Sequence, residues 1–305
     1  MPSEKITKLC SKLITTFEQI PDIFKDGFKY SCLGCNGFPY SVYIVDVSEE
    51  FSGNNGKLVT VTEDGLFIFE KINSNVKLIQ YNYDDIILVE KTNGLYNSTI
   101  LIKGTINGRQ YESVILFDNT DKYIFDFLIV AIRKKGRLSL DYEQEHEEKY
   151  EEGNYELLKL GYFKDSNLKL YNYSAESLLP HQIIKKTVLQ KKLLKKKLKF
   201  IKEVITTSHI VILTNEELII IEEGRTKRKI PESNIGGCWY FIPISQIEFM
   251  DIKAKDTYLL IFTIKLKKNR DIELLFEHSN KSQLEQLVRS SLSVYQQVSD
   301  NNRCD

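Results

Sequence analysis

Apolar and polar positions alternate in short runs along most of the chain, and the runs form two similar sets. Thr62, Asp64, Leu66, Ile68 and Glu70 follow the spacing T-x-[DE]-x-L-x-I-x-E, and Thr214, Glu216, Leu218, Ile220 and Glu222 follow it again. Further matches come in the same order. Tyr83-x-Asp85-Ile86 answers Ile244-x-Gln246-Ile247, and Leu116-Phe117-Asp118 answers Leu275-Phe276-Glu277. Asp121-Lys122 precedes one apolar-periodic stretch and Asn280-Lys281 another. The offset is far too long for a solenoid, so the pattern reads as two diverged copies of one domain.

Within the first copy, period-2 runs predict strands at 41–47, 57–62, 66–71, 77–80, 86–90, 99–104 and 111–117. Asn107-Gly108 between the last two is a strong hairpin signal. A helix follows over 121–134, with Ile124, Phe125, Leu128, Ile129 and Ile132 on one face and Asn119 or Asp121 as its cap. The second copy repeats the plan, with strands at 183–189, 210–213, 218–222, 240–242, 247–252, 258–266 and 272–276. Its closing helix spans 282–292, with Leu284, Leu287, Val288 and Leu292 turned inward. Ahead of both, Ile6, Leu9, Cys10, Leu13, Ile14, Phe17 and Ile20 recur at helical spacing and stop at Pro21, which predicts an N-terminal packing helix.

The expected organisation is a helix in 1–22, a first domain in 23–138, an acidic linker in 139–153, a second domain in 154–295 and a flexible tail in 296–305. A length of 305 residues suits two domains. The linker is marked by Asp141, Glu143, Glu145, Glu147, Glu148, Glu151 and Glu152, like charges that repel and rarely pack. Formal net charge is zero, so the molecule as a whole has no pull toward polyanions. Neither a signal peptide nor an apolar run of transmembrane length is evident, and five cysteines in such a chain fit reduced thiols in a cytoplasm.

Candidate chemistry is sparse. Cys32-Leu33-Gly34-Cys35 is a lone C-x-x-C with no second ligand pair, so no zinc is expected there, and a turn is the plainer reading. His209 opens a strand, where a structural role is expected. The acid pairs Asp84-Asp85 and Glu222-Glu223 sit at strand ends and read as solvated charges. No nucleophile triad, P-loop or dinucleotide turn is found, so no catalytic residue, metal site or cofactor is assigned.

Seven short antiparallel strands closed by one helix resemble the pleckstrin-homology (PH) superfold, in its bacterial PH-like and GRAM-like branch. The motifs that carry this are the strand-turn-strand Val59-Thr60-Val61-Thr62-Glu63-Asp64-Gly65-Leu66 and the "I-P-x-x-x-I" strand Ile242-Pro243-Ile244-Ser245-Gln246-Ile247. The second copy, 209–214 through 239–243, matches better; the first has Gln80 to Ile86 where the proline would stand. The resemblance covers about 40–135 and 180–292. It implies an α+β, mainly β fold: two bent antiparallel sheets or open barrels, each plugged by its C-terminal helix through Phe125 and Leu128 or Leu284 and Leu287.

One charge run stands out. Lys185, Lys186, Lys191, Lys192, Lys195, Lys196, Lys197, Lys199 and Lys202 occur without an acid until Glu203. In PH domains that bind phosphoinositides, the link after the first strand carries the basic residues. Here Lys197-Leu198-Lys199 comes nearest to that family pattern, and no arginine fork accompanies it. The interleaved Leu193, Leu194, Leu198, Phe200 and Ile201 equally suit an amphipathic helix with a solvated lysine face. Lys191, Lys192, Lys195, Lys196, Lys197 and Lys199 are the candidate ligand-binding residues. The expected function is non-enzymatic: a binding or scaffolding module for a protein partner. The alternative is peripheral attachment to an anionic membrane through 185–202. Nucleic acid is not expected, because exposed aromatics do not alternate with the lysines. A hydrolase or thiol-redox enzyme is the remote third reading.

Overall fold

The computed structural model describes residues 9–32, 37–46, 56–137, 155–198, 201–224, 236–268 and 270–301. It is mainly β, with antiparallel pairing in its sheets. The chain divides into two compact units: Met1–Ile86 with Asn93–Leu140, and Ile87–Thr92 with Asp141–Asp305. The acidic stretch 141–152 and Cys35 lie outside the described residues.

The first unit contains a five-stranded sheet in the order β1 (Leu9–Ile14), β2 (Tyr40–Asp46), β3 (Lys57–Val61), β4 (Leu66–Ile72) and β5 (Asn75–Tyr81). The next strand, β6 (Ile86–Asn93), gives its residues 87–92 to the second unit. A long hairpin of β7 (Asn97–Ile106) and β8 (Arg109–Asp118) follows. Asn107 and Gly108 at its tip take φ of 50° and 75°, as the expected two-residue turn requires. Phe125 of α2 (Lys122–Arg133) stacks on Phe117 at 4.0 Å, and Leu128 is fully buried beside it.

Three expectations for this unit are corrected. Residues 9–14 form strand β1, paired with β2 from Leu9↔Asp46 to Ile14↔Ser41, and not a helix. A short run with apolar residues at both spacings is ambiguous, and the open edge of β2 decides it. The helix lies just beyond, in α1 (Asp22–Cys32), with Phe24, Phe28 and Cys32 buried. Pro21, read as a stop, instead precedes the first helical residue, and its carbonyl accepts the Phe24 amide at 2.9 Å. Asp121 stands at the N-cap of α2, as one of the two expected residues, but its side chain makes no capping bond there and instead accepts the amide of Ser11 at 3.2 Å; the side-chain cap lies one turn earlier, where Asp118 accepts the Thr120 amide.

Helix α1 explains why Leu66, Phe67, Ile68 and Phe69 are all buried, although strand alternation leads one to expect one wet face. Phe67 and Phe69 pack with Ile14, Ile20, Phe24, Phe28, Cys32 and Leu58 in a cluster. The spacing Phe24–Phe28–Cys32 is helical, one residue per turn, and is the sequence signal for this layer.

The second unit has a sheet of β9 (Ile184–Gln190), β12 (His209–Thr214), β13 (Glu217–Glu223) and β14 (Gly237–Pro243), with β6 residues 89–92 paired to β14. A three-stranded sheet follows: β15 (Ile247–Ala254), β16 (Leu259–Leu266) and β17 (Arg270–Glu277). Between β9 and β12 the chain forms a separate two-stranded hairpin, β10 (Leu193–Leu198) and β11 (Ile201–Thr206). The basic run is therefore strand rather than amphipathic helix, and irregular, with register shifts at Leu193/Leu194 and Lys196/Leu198.

Two helices cover this unit. α3 (Leu168–Ser177) lies against β13, with Tyr173 on Trp239 at a ring separation of 4.7 Å, so Leu218–Ile221 are again buried throughout. α4 (Lys281–Asn301) buries Leu284, Leu287 and Val294 in the core with Phe262 and Phe276. Leu292 is not inward; it is 63% exposed. The helix also runs through Asn301 instead of ending near 292, because Val294 carries the apolar stripe on by another turn. At the edge of β9, Glu156 accepts the Ile184 amide at 2.5 Å and Lys159 donates to its carbonyl at 3.0 Å. This ion pair occupies backbone groups that another strand would otherwise use.

Candidate functional site

The first and second strands of the second unit's sheet, β9 and β12, are joined by residues 191–208, and the site lies where this connection leaves the sheet. A cleft of about 470 Å³ opens there. Its lining comes from three elements: Lys169 near the start of α3, Lys192 and Val204 at the base of the β10–β11 hairpin, and Thr207, Ser208, Glu223 and Gly224 at the ends of β12 and β13. Asn167 fixes the start of α3 by accepting the Leu170 amide at 3.0 Å, which sets Lys169 on the first turn. The Lys169 ammonium lies 5.5 Å from the Tyr173 ring centroid. Gly224, with φ of 66°, donates to the Gly236 carbonyl at 3.0 Å and closes the other side.

The candidate lysines are only partly gathered here. Lys192 lines the cleft. Lys191 is exposed beside it, and Lys195 is exposed on β10 opposite Glu203. Lys195 also helps hold the Asp256 carboxyl below its usual range, after the larger effect of the Tyr258 amide. Lys196 and Lys197 belong to β10, and Lys199 lies outside the described residues. Lys186 donates to Gln286 at 2.5 Å. Three cleft residues escaped sequence reasoning. Lys169 and Thr207 carry no motif, and Glu223 reads with Glu222 as a pair of solvated charges.

Glu222 and Glu223 in fact part company. Alternation along β13 sends Glu223 to the cleft and Glu222, only 6% exposed, to the core face. There a polar row crosses five strands: Gln190, His209, Glu222, Cys238 and Thr92 stand directly opposite one another in register. Gln190 is fully satisfied, accepting the Glu277 amide at 2.7 Å and Asn280 Nδ2 at 3.0 Å while donating to the Lys191 carbonyl at 2.7 Å. His209 Nδ1 bonds the Thr207 carbonyl at 3.0 Å, and its ring meets Phe276 edge-on at 4.7 Å. Burial lowers its pKa to about 4, so the imidazole is neutral, and Nε2 is buried without a hydrogen-bond partner among the described residues. Burial, reinforced by the Glu90 charge, raises the Cys238 thiol to about 12. The Tyr240 phenol is also raised, chiefly by burial.

These groups are packed in the core, away from solvent, whereas the cleft is lined by charged and hydroxyl side chains. Among the described residues no group of three or more His, Cys, Asp or Glu could hold a metal ion, and no helix is long and apolar enough to cross a membrane. Compared with known proteins, the chain matches no family model and no curated sequence.

Proposed function

We propose that this chain is a non-enzymatic binding protein built from two PH-like modules, and that its second unit recognises a protein partner through the β10–β11 hairpin. The order of four strands, three strands and a closing helix in that unit supports the PH-like reading. The observation that carries the function is the hairpin itself. Among the described residues it pairs with no other strand, so its outer backbone groups are open to strand addition. Leu194 and Val204 stand directly opposite each other and are 48% and 38% exposed. An isolated two-stranded ribbon is marginal in water, so an apolar pair left on it favours a bound state. Lys191, Lys192 and Lys195 around it select a partner segment that is extended and acidic.

The same apolar pair ringed by lysines supports a second reading, attachment to an anionic bilayer, where each lysine near the surface contributes about 1 kcal/mol. Affinity capture with the wild-type chain and with Leu194→Asp/Val204→Asp separates the two. Protein recognition predicts a specific partner retained by wild type and lost by the double variant, with no sedimentation on anionic liposomes at physiological salt. Liposome binding that the lysines control, without a retained protein, would replace it with the membrane reading.

A further inference from the structure

The cleft itself contains three uncommitted polar groups of complementary kinds. Lys192 is exposed and Glu223 half-buried, and neither has an ion pair among the described residues, with each other or with any other side chain. Thr207 lines the cleft with them, and its Oγ1 is buried and has no hydrogen-bond partner among the described residues. A buried hydroxyl without a partner is costly and uncommon in a native fold. Its backbone carbonyl is already used by His209 Nδ1, and that bond holds the Thr207 segment in place. Ser208, 7% exposed, adds a second hydroxyl, and the Val204 side chain supplies an apolar wall.

An ammonium, a carboxylate and a dry hydroxyl in one cleft do not suit a simple anion, because the Glu223 carboxylate would repel it. They suit a ligand that carries both charges. We infer that the Lys169–Lys192–Glu223 cleft binds a small zwitterion of amino-acid or dipeptide size, its carboxylate held by Lys192 and the Thr207 hydroxyl and its ammonium by Glu223. Lys169 lines the same cleft and adds a second positive charge. A volume of about 470 Å³ falls within the range of small-molecule sites and has room for a dipeptide with one apolar side chain against Val204. This ligand goes beyond the hairpin reading: it shares Lys192 and Val204 with that surface at the base of the hairpin and leaves the outer strand edges open.

The test is titration calorimetry on the full chain with the dipeptide Gly-Val, its N-acetyl form, its methyl ester and inorganic phosphate. The free dipeptide is expected to bind. Removing either charge is expected to weaken binding by about tenfold or more, since charge-assisted hydrogen bonds are lost. Glu223→Gln should abolish the preference for the free over the acetylated form and leave the preference for acid over ester. Lys192→Gln should do the reverse. Both positions reach solvent, and urea unfolding of each variant confirms that the fold is intact. Equal binding of all three dipeptide forms would overturn the assignment. So would phosphate binding in place of the dipeptide, or no binding of any dipeptide up to about 10 mM.

Discussion

Thr62 and Thr214 share two side-chain hydrogen bonds in two separate hairpin turns, to the amide two residues on and to the carbonyl three residues on. Thr62 Oγ1 accepts the Asp64 amide at 3.1 Å and donates to the Gly65 carbonyl at 3.3 Å, at the β3–β4 turn. Thr214 Oγ1 accepts the Glu216 and Glu217 amides at 3.2 and 3.0 Å and donates to the Glu217 carbonyl at 3.0 Å, at the β12–β13 turn. The threonine of T-x-[DE] thus supplies an internal partner for backbone groups that a tight turn leaves open.

Thr214 is fully buried, so its removal strands the buried Glu217 amide. Thr214→Ala is expected to lower unfolding free energy by about 2 kcal/mol, and Thr62→Ala by about 1 kcal/mol. Thr214→Ser should recover most of the loss in urea titrations. If serine is as damaging as alanine, the methyl group and not the hydroxyl carries the effect.

Gly136 is the strictest glycine near these turns. It ends α2 with φ of 75° and donates to the Ala131 carbonyl at 2.9 Å. A Cβ there would lie 2.0 Å from the Thr62 carbonyl oxygen. Gly108 has the same φ but open space around its Cβ position. Gly108→Ala should therefore cost about 1 kcal/mol of left-handed strain, and Gly136→Ala more than about 2 kcal/mol. Equal midpoint shifts in thermal unfolding would show that the Thr62 backbone moves aside freely.

The doubled motif was legible because it lies on matched elements. Tyr83–Asp85 and Ile244–Gln246 are both single 3-10 turns before a strand, and Phe117 and Phe276 are both fully buried near the end of the last strand of each series. The helices on the outer sheet faces were not legible as part of that plan. α1 has a helical signal in Phe24, Phe28 and Cys32, but the stronger apolar run before Pro21 drew the helix too early. α3 has a mixed face in which Tyr171 and Tyr173 are half-buried, so periodicity alone did not mark it. The cleft was half legible. Lysine density pointed to Lys192, whereas Thr207 and Glu223 matter only through where β12 and β13 end.

His209 predicts a pH dependence. Burial holds its folded pKa at about 4, against an ordinary value near 6.5. Between those values the unfolded chain takes up a proton that the folded chain does not, so stability is full above pH 6.5 and falls as pH drops toward 4. The loss is on the order of 3 kcal/mol. His209→Phe keeps a ring against Phe276 but cannot titrate. Urea midpoints between pH 7 and about 4 should fall less steeply for it than for wild type, while Glu222 and the other carboxylates contribute equally to both. Parallel slopes would mean that His209 titrates alike in the folded and unfolded chain, so that burial does not lower its pKa.

Cys238 and Cys10 should behave oppositely toward alkylation. Cys10 is exposed on β1, the edge strand of the first sheet. Cys238 is 2% exposed in β14, and its thiol is raised to about 12 by burial and by the Glu90 charge, with Thr92 Oγ1 at 3.5 Å offering only weak relief. At mildly alkaline pH its thiolate fraction is on the order of a thousandfold below that of an ordinary cysteine. Iodoacetamide footprinting read by mass spectrometry should therefore label Cys10 within minutes and leave Cys238 untouched until denaturant is added. Replacing Glu90 by Gln removes one cause of the raised pKa but not the burial, so Cys238 should stay protected in that variant. Rapid native labelling of Cys238 in either protein would show that β14 opens to solvent, and that the polar row from Gln190 to Thr92 is not a sealed part of the core.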